Sequence, residues 1–162
     1  MLERLCLEGF QSGLSWLTVL RKRENFRSAF ASFDPERVAR FTERDVERLL
    51  GDAGIIRHRG KIEAAIANAR GTLELRANGT PLHELVWSFR PDAHRSPRDR
   101  TEWQATSAES NALSKALKKA GFRFVGPTTV YSTMQACGVV NDHLESCWVH
   151  DDVARELASV AA

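Results

Sequence analysis

Apolar residues recur at helical spacing through most of the chain, and no alternating run is long enough for a convincing strand. Leu2, Leu5 and Cys6 begin the pattern at the first residues, with no capping residue ahead of them. Gly9 and Gly13 interrupt it, and a new helix is predicted from Leu14-Ser15-Trp16, packing through Val19, Leu20 and Phe26. Asp34-Pro35 is a helix start: an acceptor side chain, then proline at the first position, where a missing N–H costs nothing. Thr42 to Asp45 has the form of a capping box ahead of Val46, Leu49 and Leu50, and Gly51 and Gly54 break that helix. A basic run from Ile55 to Lys61 leads into a helix through Ile62, Ile66, Ala69 and Leu73, ended by Asn78-Gly79. Pro81 opens a short helix containing Leu85, Val86 and Phe89.

From Pro91 to Thr106 the composition turns to Pro, Arg, Asp and Ser, with Trp103 as its one large apolar residue, which predicts a surface loop. Ser107 is a candidate N-cap for a helix through Leu113, Ala116, Leu117 and Ala120, and Gly121 ends it. Gly126-Pro127 closes a tight hairpin and opens the next helix, striped by Val130, Met134 and Cys137. The expected fold is all-α. One domain spans 1–150, with 91–106 as an internal surface loop, and a tail helix lies within 151–162.

A chain of 162 residues is long enough for one domain with a real core. Its net charge is only +2, so any nucleic-acid footprint must come from local clustering. No stretch approaches the roughly 20 apolar residues that span a bilayer, and no basic-then-apolar leader is visible. Three widely spaced cysteines argue for a reducing compartment, and a cytoplasmic location is expected.

The hairpin is where charge clusters. Between Asn111 and Asn141 there is no Asp or Glu, whereas Lys115, Lys118, Lys119 and Arg123 are basic. A helix start free of acids and preceded by glycine suits a phosphate, since free N–H groups and the helix dipole both favour an anion. The contacts expected on this reading come from Lys118, Lys119, Arg123, Gly126 and Thr128. The alternative is an ordinary helical hairpin with a solvated basic face.

Four blocks, occurring in order, carry a resemblance: CLEGFQSGLSWLTVLRKRENF (6–26), DAGIIRHRGKIEAAIANAR (52–70), ALSKALKKAGFRFVGPTTVYSTMQACG (112–138) and VNDHLESC (140–147). They resemble the 3-methyladenine DNA glycosylase I (TAG) family of the helix-hairpin-helix glycosylases. The resemblance implies an all-helical, DNA-bending repair enzyme that hydrolyses the N-glycosidic bond of 3-methyladenine in alkylated duplex DNA, without a covalent lysine intermediate, as a monomer. It further implies that Glu8 hydrogen-bonds the base, that Trp16 stacks on it, and that Gly13 and Leu14 sit at the lesion. A structural zinc is implied too, with His143 and Cys147 as two of its ligands; four residues apart, on a helix they would share one face.

Taken singly, these residues have plainer readings. Glu8 is a solvated helix residue, Trp16 core, Leu14 packing. Asp142 falls where many helix-hairpin-helix glycosylases place a carboxylate that stabilises the sugar cation, although the TAG family is described as lacking one. Family members also carry a further N-terminal segment with a Cys and a His for the zinc and with aromatics that wall the pocket. A start in mid-helix leaves two readings, a start placed too far downstream in the gene of a full enzyme or a true remnant. As written, the domain is expected to be N-terminally truncated, with a pocket open on one side and weak or absent zinc binding. The competing functional class is a non-catalytic DNA-binding remnant.

Overall fold

The computed structural model describes residues 1–160 and contains ten α-helices and no strand among them. They are α1 (Leu2–Gln11), α2 (Trp16–Leu20), α3 (Arg23–Ala29), α4 (Pro35–Val38), α5 (Glu43–Gly51), α6 (Arg59–Ala77), α7 (Leu82–Trp87), α8 (Ala108–Lys119), α9 (Pro127–Ala136) and α10 (His150–Val160). Of the expected tail, residues 161 and 162 lie outside the described residues.

The centre of the molecule is α1. From Leu5 to Phe10 every residue of this helix is buried, a pattern that marks a core element rather than a surface one. It packs against α6 on one flank and α9 on another. Beside it stands an aromatic cluster in which the Phe10 and Phe26 rings lie 4.6 Å apart and Phe30 stacks on Phe33 at 5.3 Å. Phe10, Phe26 and Phe30 are fully buried, each contributing about 1.5–3 kcal/mol.

Local chemistry sets the helix ends. The Asp34 carboxylate accepts from Glu36 N at 2.9 Å, starting α4, and Thr42 and Asp45 form the capping box of α5. Ser107 Oγ accepts from Ser110 N at 3.1 Å while Ser110 Oγ accepts from Ser107 N at 2.8 Å. Gly121 takes a φ of +82° after α8, the left-handed stop that glycine adopts without a Cβ clash.

Three expectations fail. Gly9 does not interrupt a helix; it lies inside α1, where a Cβ would sit 3.4 Å from the Cβ and the carbonyl oxygen of Phe124. A side-chain carbon there would make ordinary van der Waals contact, so the helix and the hairpin turn are closely packed at this point. Leu20 does not pack: the segment divides into α2 and α3, and Leu20 is 45% exposed. Finally, His143 and Cys147 are not on a helix, because residues 141–149 run as turns ahead of α10.

Candidate base pocket and DNA-facing surface

Glu8 points inward. Its side chain is 7% exposed, and its carboxylate lies 3.3 Å from the Nε of Arg4, one helical turn back. Burial raises the Glu8 carboxyl above its ordinary range, and the Arg4 charge opposes that shift. Trp16 is the first residue of α2, whose start is fixed by Ser15 Oγ accepting from Thr18 N at 3.3 Å. Both residues line one small cavity of about 360 Å³. Arg4, Gln11, Ser132, Gln135 and Ala136 complete its wall, and Arg4 Cζ lies 4.6 Å from the centre of the Trp16 ring.

The segment between α1 and α2 carries Gly13 and Leu14. Gly13 has a φ of +79° with nothing within 4 Å of where a Cβ would stand, and Leu14 is 39% exposed. The loop is pinned from below by Lys61, whose buried ammonium donates to Phe10 O at 2.9 Å and Ser12 O at 2.6 Å. In the sequence Lys61 is only the last residue of a basic run leading into a helix, and this role has no local signature because the contact spans some fifty residues.

The hairpin follows α8. Lys118, Lys119, Arg123 and Thr128 are all exposed, and Gly126 caps α9 with an extended backbone and no side-chain hydrogen bond. The first-turn N–H groups of α9 are therefore free of any side-chain cap, as an anion site requires. Two buried side chains hold this turn. Asn68 pairs with the main chain of Arg123, and Ser114 Oγ donates to Val125 O at 2.6 Å. Gly71 permits the close approach of α6, since a Cβ there would meet Phe122 at 2.6 Å. Phe124, which the sequence did not single out, sits exposed at a φ of +55° against the His58 ring. The left-handed conformation is costly for a residue with a side chain, and the hairpin holds Phe124 in it.

The third group lies in the turns after α9. Cys147 Sγ and His143 Nδ1 are 3.6 Å apart, so the pair does converge, through a turn rather than a helix face. No group of three or more His, Cys, Asp or Glu side chains that could hold a metal occurs among the described residues. His150 is committed elsewhere, to Ser96 Oγ at 3.0 Å and Asp151 at 2.8 Å. A structural zinc takes four ligands, and these residues do not by themselves fit it. Asp142 is bonded to His94 Nε2 at 3.0 Å and Gln135 Nε2 at 2.7 Å, and Gln135 in turn lines the Glu8 cavity. Cys6 is fully buried, its thiol pushed up to about 12 by desolvation, and Cys137 is half-buried.

Comparison with known proteins identifies the family. The sequence profile of the methyladenine glycosylase family matches residues 1–150. The DNA-3-methyladenine glycosylase 1 of Escherichia coli is 56% identical over 149 residues, covering 91% of this chain and 80% of that one. A crystal structure of 3-methyladenine DNA glycosylase I (TAG) superposes with a TM-score of 0.89 at 52% identity, over 92% of this chain and 83% of the other. The TAG enzyme of Staphylococcus aureus, solved to explain 3-methyladenine recognition, gives 0.86 at 36% identity, over 92% and 80%. A family match across nine-tenths of the chain, joined to an all-helical fold that superposes on TAG enzymes, leads to one conclusion: this chain belongs to the methyladenine glycosylase family.

Proposed function

We propose that this protein is a monofunctional DNA-3-methyladenine glycosylase that removes the base from alkylated duplex DNA, acting as a monomer. One observation carries the reading: a buried carboxylate, Glu8, shares a small cavity with the indole of Trp16. The related TAG enzymes are named for 3-methyladenine.

The chemistry asks little of the protein. Methylation leaves the purine positively charged while it is still bonded to the sugar, which makes it a good leaving group. Water adds at the sugar carbon and gives up a proton to solvent, the bond to the base nitrogen breaks, and the base departs with that electron pair as a neutral molecule. What remains is to take the base out of the stack and hold it. Glu8 accepts a charge-assisted hydrogen bond from the exocyclic amine. Trp16 stacks on the ring, worth roughly 1–3 kcal/mol without discriminating among bases. A cation over the indole adds about 0.5–2 kcal/mol that neutral adenine does not receive. Leu14 fills the gap left in the duplex, and Lys118, Lys119, Arg123, Gly126 and Thr128 grip the phosphates without reading sequence.

The test is release of free 3-methyladenine from alkylated duplex DNA. The parent releases it, and Glu8→Gln reduces the rate at least a hundredfold while binding undamaged duplex as the parent does. Equal release by parent and Glu8→Gln overturns the assignment. Tight, salt-sensitive duplex binding with no release by the parent establishes the non-catalytic remnant instead.

A further inference from the structure

The proposed base site already holds a cation. Arg4 reaches along α1 to place its guanidinium between the two groups assigned to the alkylated purine: 3.3 Å from the Glu8 carboxylate and 4.6 Å from the centre of the Trp16 ring. A guanidinium is flat, delocalised and positively charged. An N-methylated adenine still bonded to its sugar shares those three properties. From this correspondence, and resting on the function proposed above, we infer that Arg4 is a resident stand-in for the alkylated base, which an incoming base must displace.

Three features of the contact support displacement rather than permanent structure. Arg4 Nε is buried and makes no aligned hydrogen bond, although Glu8 lies within ion-pair range. The contact is thus charge facing charge, weaker than the forked pairing arginine makes when its geometry is satisfied. The Arg4 side chain is also 33% exposed, so it has a route into solvent that Glu8, at 7%, lacks. Finally, the cavity lining contains no other cation, so nothing else there neutralises the carboxylate when no base is bound. While the methylated base is still bonded to its sugar the exchange conserves charge, a cation leaving the carboxylate and the indole face as another arrives. The released base, having kept the electron pair, is neutral and gains from the removal of Arg4 without replacing its charge. A neutral base evicts the arginine and returns no charge to Glu8. Arg4 therefore sets the affinity a base must reach before it can enter, and so helps determine specificity.

The experiment measures equilibrium binding of free 3-methyladenine to the parent, R4M and R4K by tryptophan fluorescence, with methylguanidinium as competitor. R4M, whose side chain is long but uncharged, binds 3-methyladenine at least fivefold more tightly than the parent. R4K, which keeps the charge, stays within about twofold of the parent. Methylguanidinium reverses binding to R4M at concentrations that leave the parent unaffected. Parent binding with R4M equal or weaker overturns the role of Arg4 and leaves the base site standing. R4K as tight as R4M overturns the charge argument. Failure of both the parent and R4M to bind 3-methyladenine overturns the base site itself, and the role of Arg4 with it.

Discussion

The carboxamide of Asn68 accepts from the main-chain N–H of Arg123 at 2.7 Å and donates to the carbonyl of the same residue at 3.2 Å. One buried side chain in the middle of α6 therefore holds both polar groups of a hairpin residue. Asn68→Ala leaves them without a protein partner, each such loss costing roughly 1–3 kcal/mol where water cannot enter. The expected outcome is a lower midpoint in urea and weaker binding to undamaged duplex, with 3-methyladenine binding unchanged. Unaltered duplex affinity in a destabilised Asn68→Ala protein would show that the hairpin does not grip DNA.

Glu8 couples function to stability with opposite signs. Burial raises its folded carboxyl above the ordinary 4.5, against the opposing pull of Arg4. A raised folded pKa gives stability that is complete below the unfolded value and lost as pH rises through the folded one. At neutral pH the ionised group is thus a cost to the fold, and Glu8→Gln is expected to melt no lower than the parent while losing base release. The same shift places the acid limb of the release rate above pH 4.5. Thermal melts at pH 7 and a pH–rate profile test both points.

His94 and Asp142 form a pair with a defined pH window. The Asp142 hydrogen bond holds His94 above its ordinary 6.5, against desolvation. Asp142 lies below its ordinary 3.8, because hydrogen bonds from His94, Tyr131 and Gln135 outweigh burial. The histidine contribution is complete below 6.5 and lost as pH rises through its folded value; the aspartate contribution is present above 3.8 and lost as pH falls. Stability gained from the pair is therefore greatest between about pH 4 and 6.5. The difference in urea midpoint between the parent and Asp142→Asn should be largest at pH 5 to 6 and smaller at pH 8.

If Lys118 and Lys119 each neutralise a phosphate, the double substitution Lys118→Ala/Lys119→Ala lowers the slope of log K against log salt by about 0.9 per lost contact. Lesion-bearing and undamaged duplexes should weaken alike, because phosphate contacts carry no sequence information. A slope equal to the parent's identifies the two lysines as a solvated face.

Local signals were readable, distant ones were not. The caps at Asp34, Thr42 and Ser107, the stop at Gly121 and the acid-free hairpin all follow from neighbours a few residues apart. Glu8 and Trp16 were singled out only through the family resemblance, since a lone Glu in a helix of low polarity has no signature of burial. Arg4, Lys61, Asn68 and the His94–Asp142 pair went unnoticed, as partners far apart in the chain leave no periodicity and an i,i+4 pair such as Arg4–Glu8 usually means an exposed ion pair. Leu20 and Gly9 show the converse: a hydrophobic residue predicted to be core is exposed, and a glycine predicted to break a helix instead lies inside one, packed against Phe124.

The first turn of α6 reaches in two directions. Lys61 clasps the carbonyls just before Gly13, and His58, which caps the same helix, abuts Phe124 in the hairpin. The part proposed to probe the lesion and the part proposed to clamp the strand are thus bolted to a common strut. Their separation is therefore set by the protein itself, so the two proposed contacts would meet a duplex at one fixed spacing.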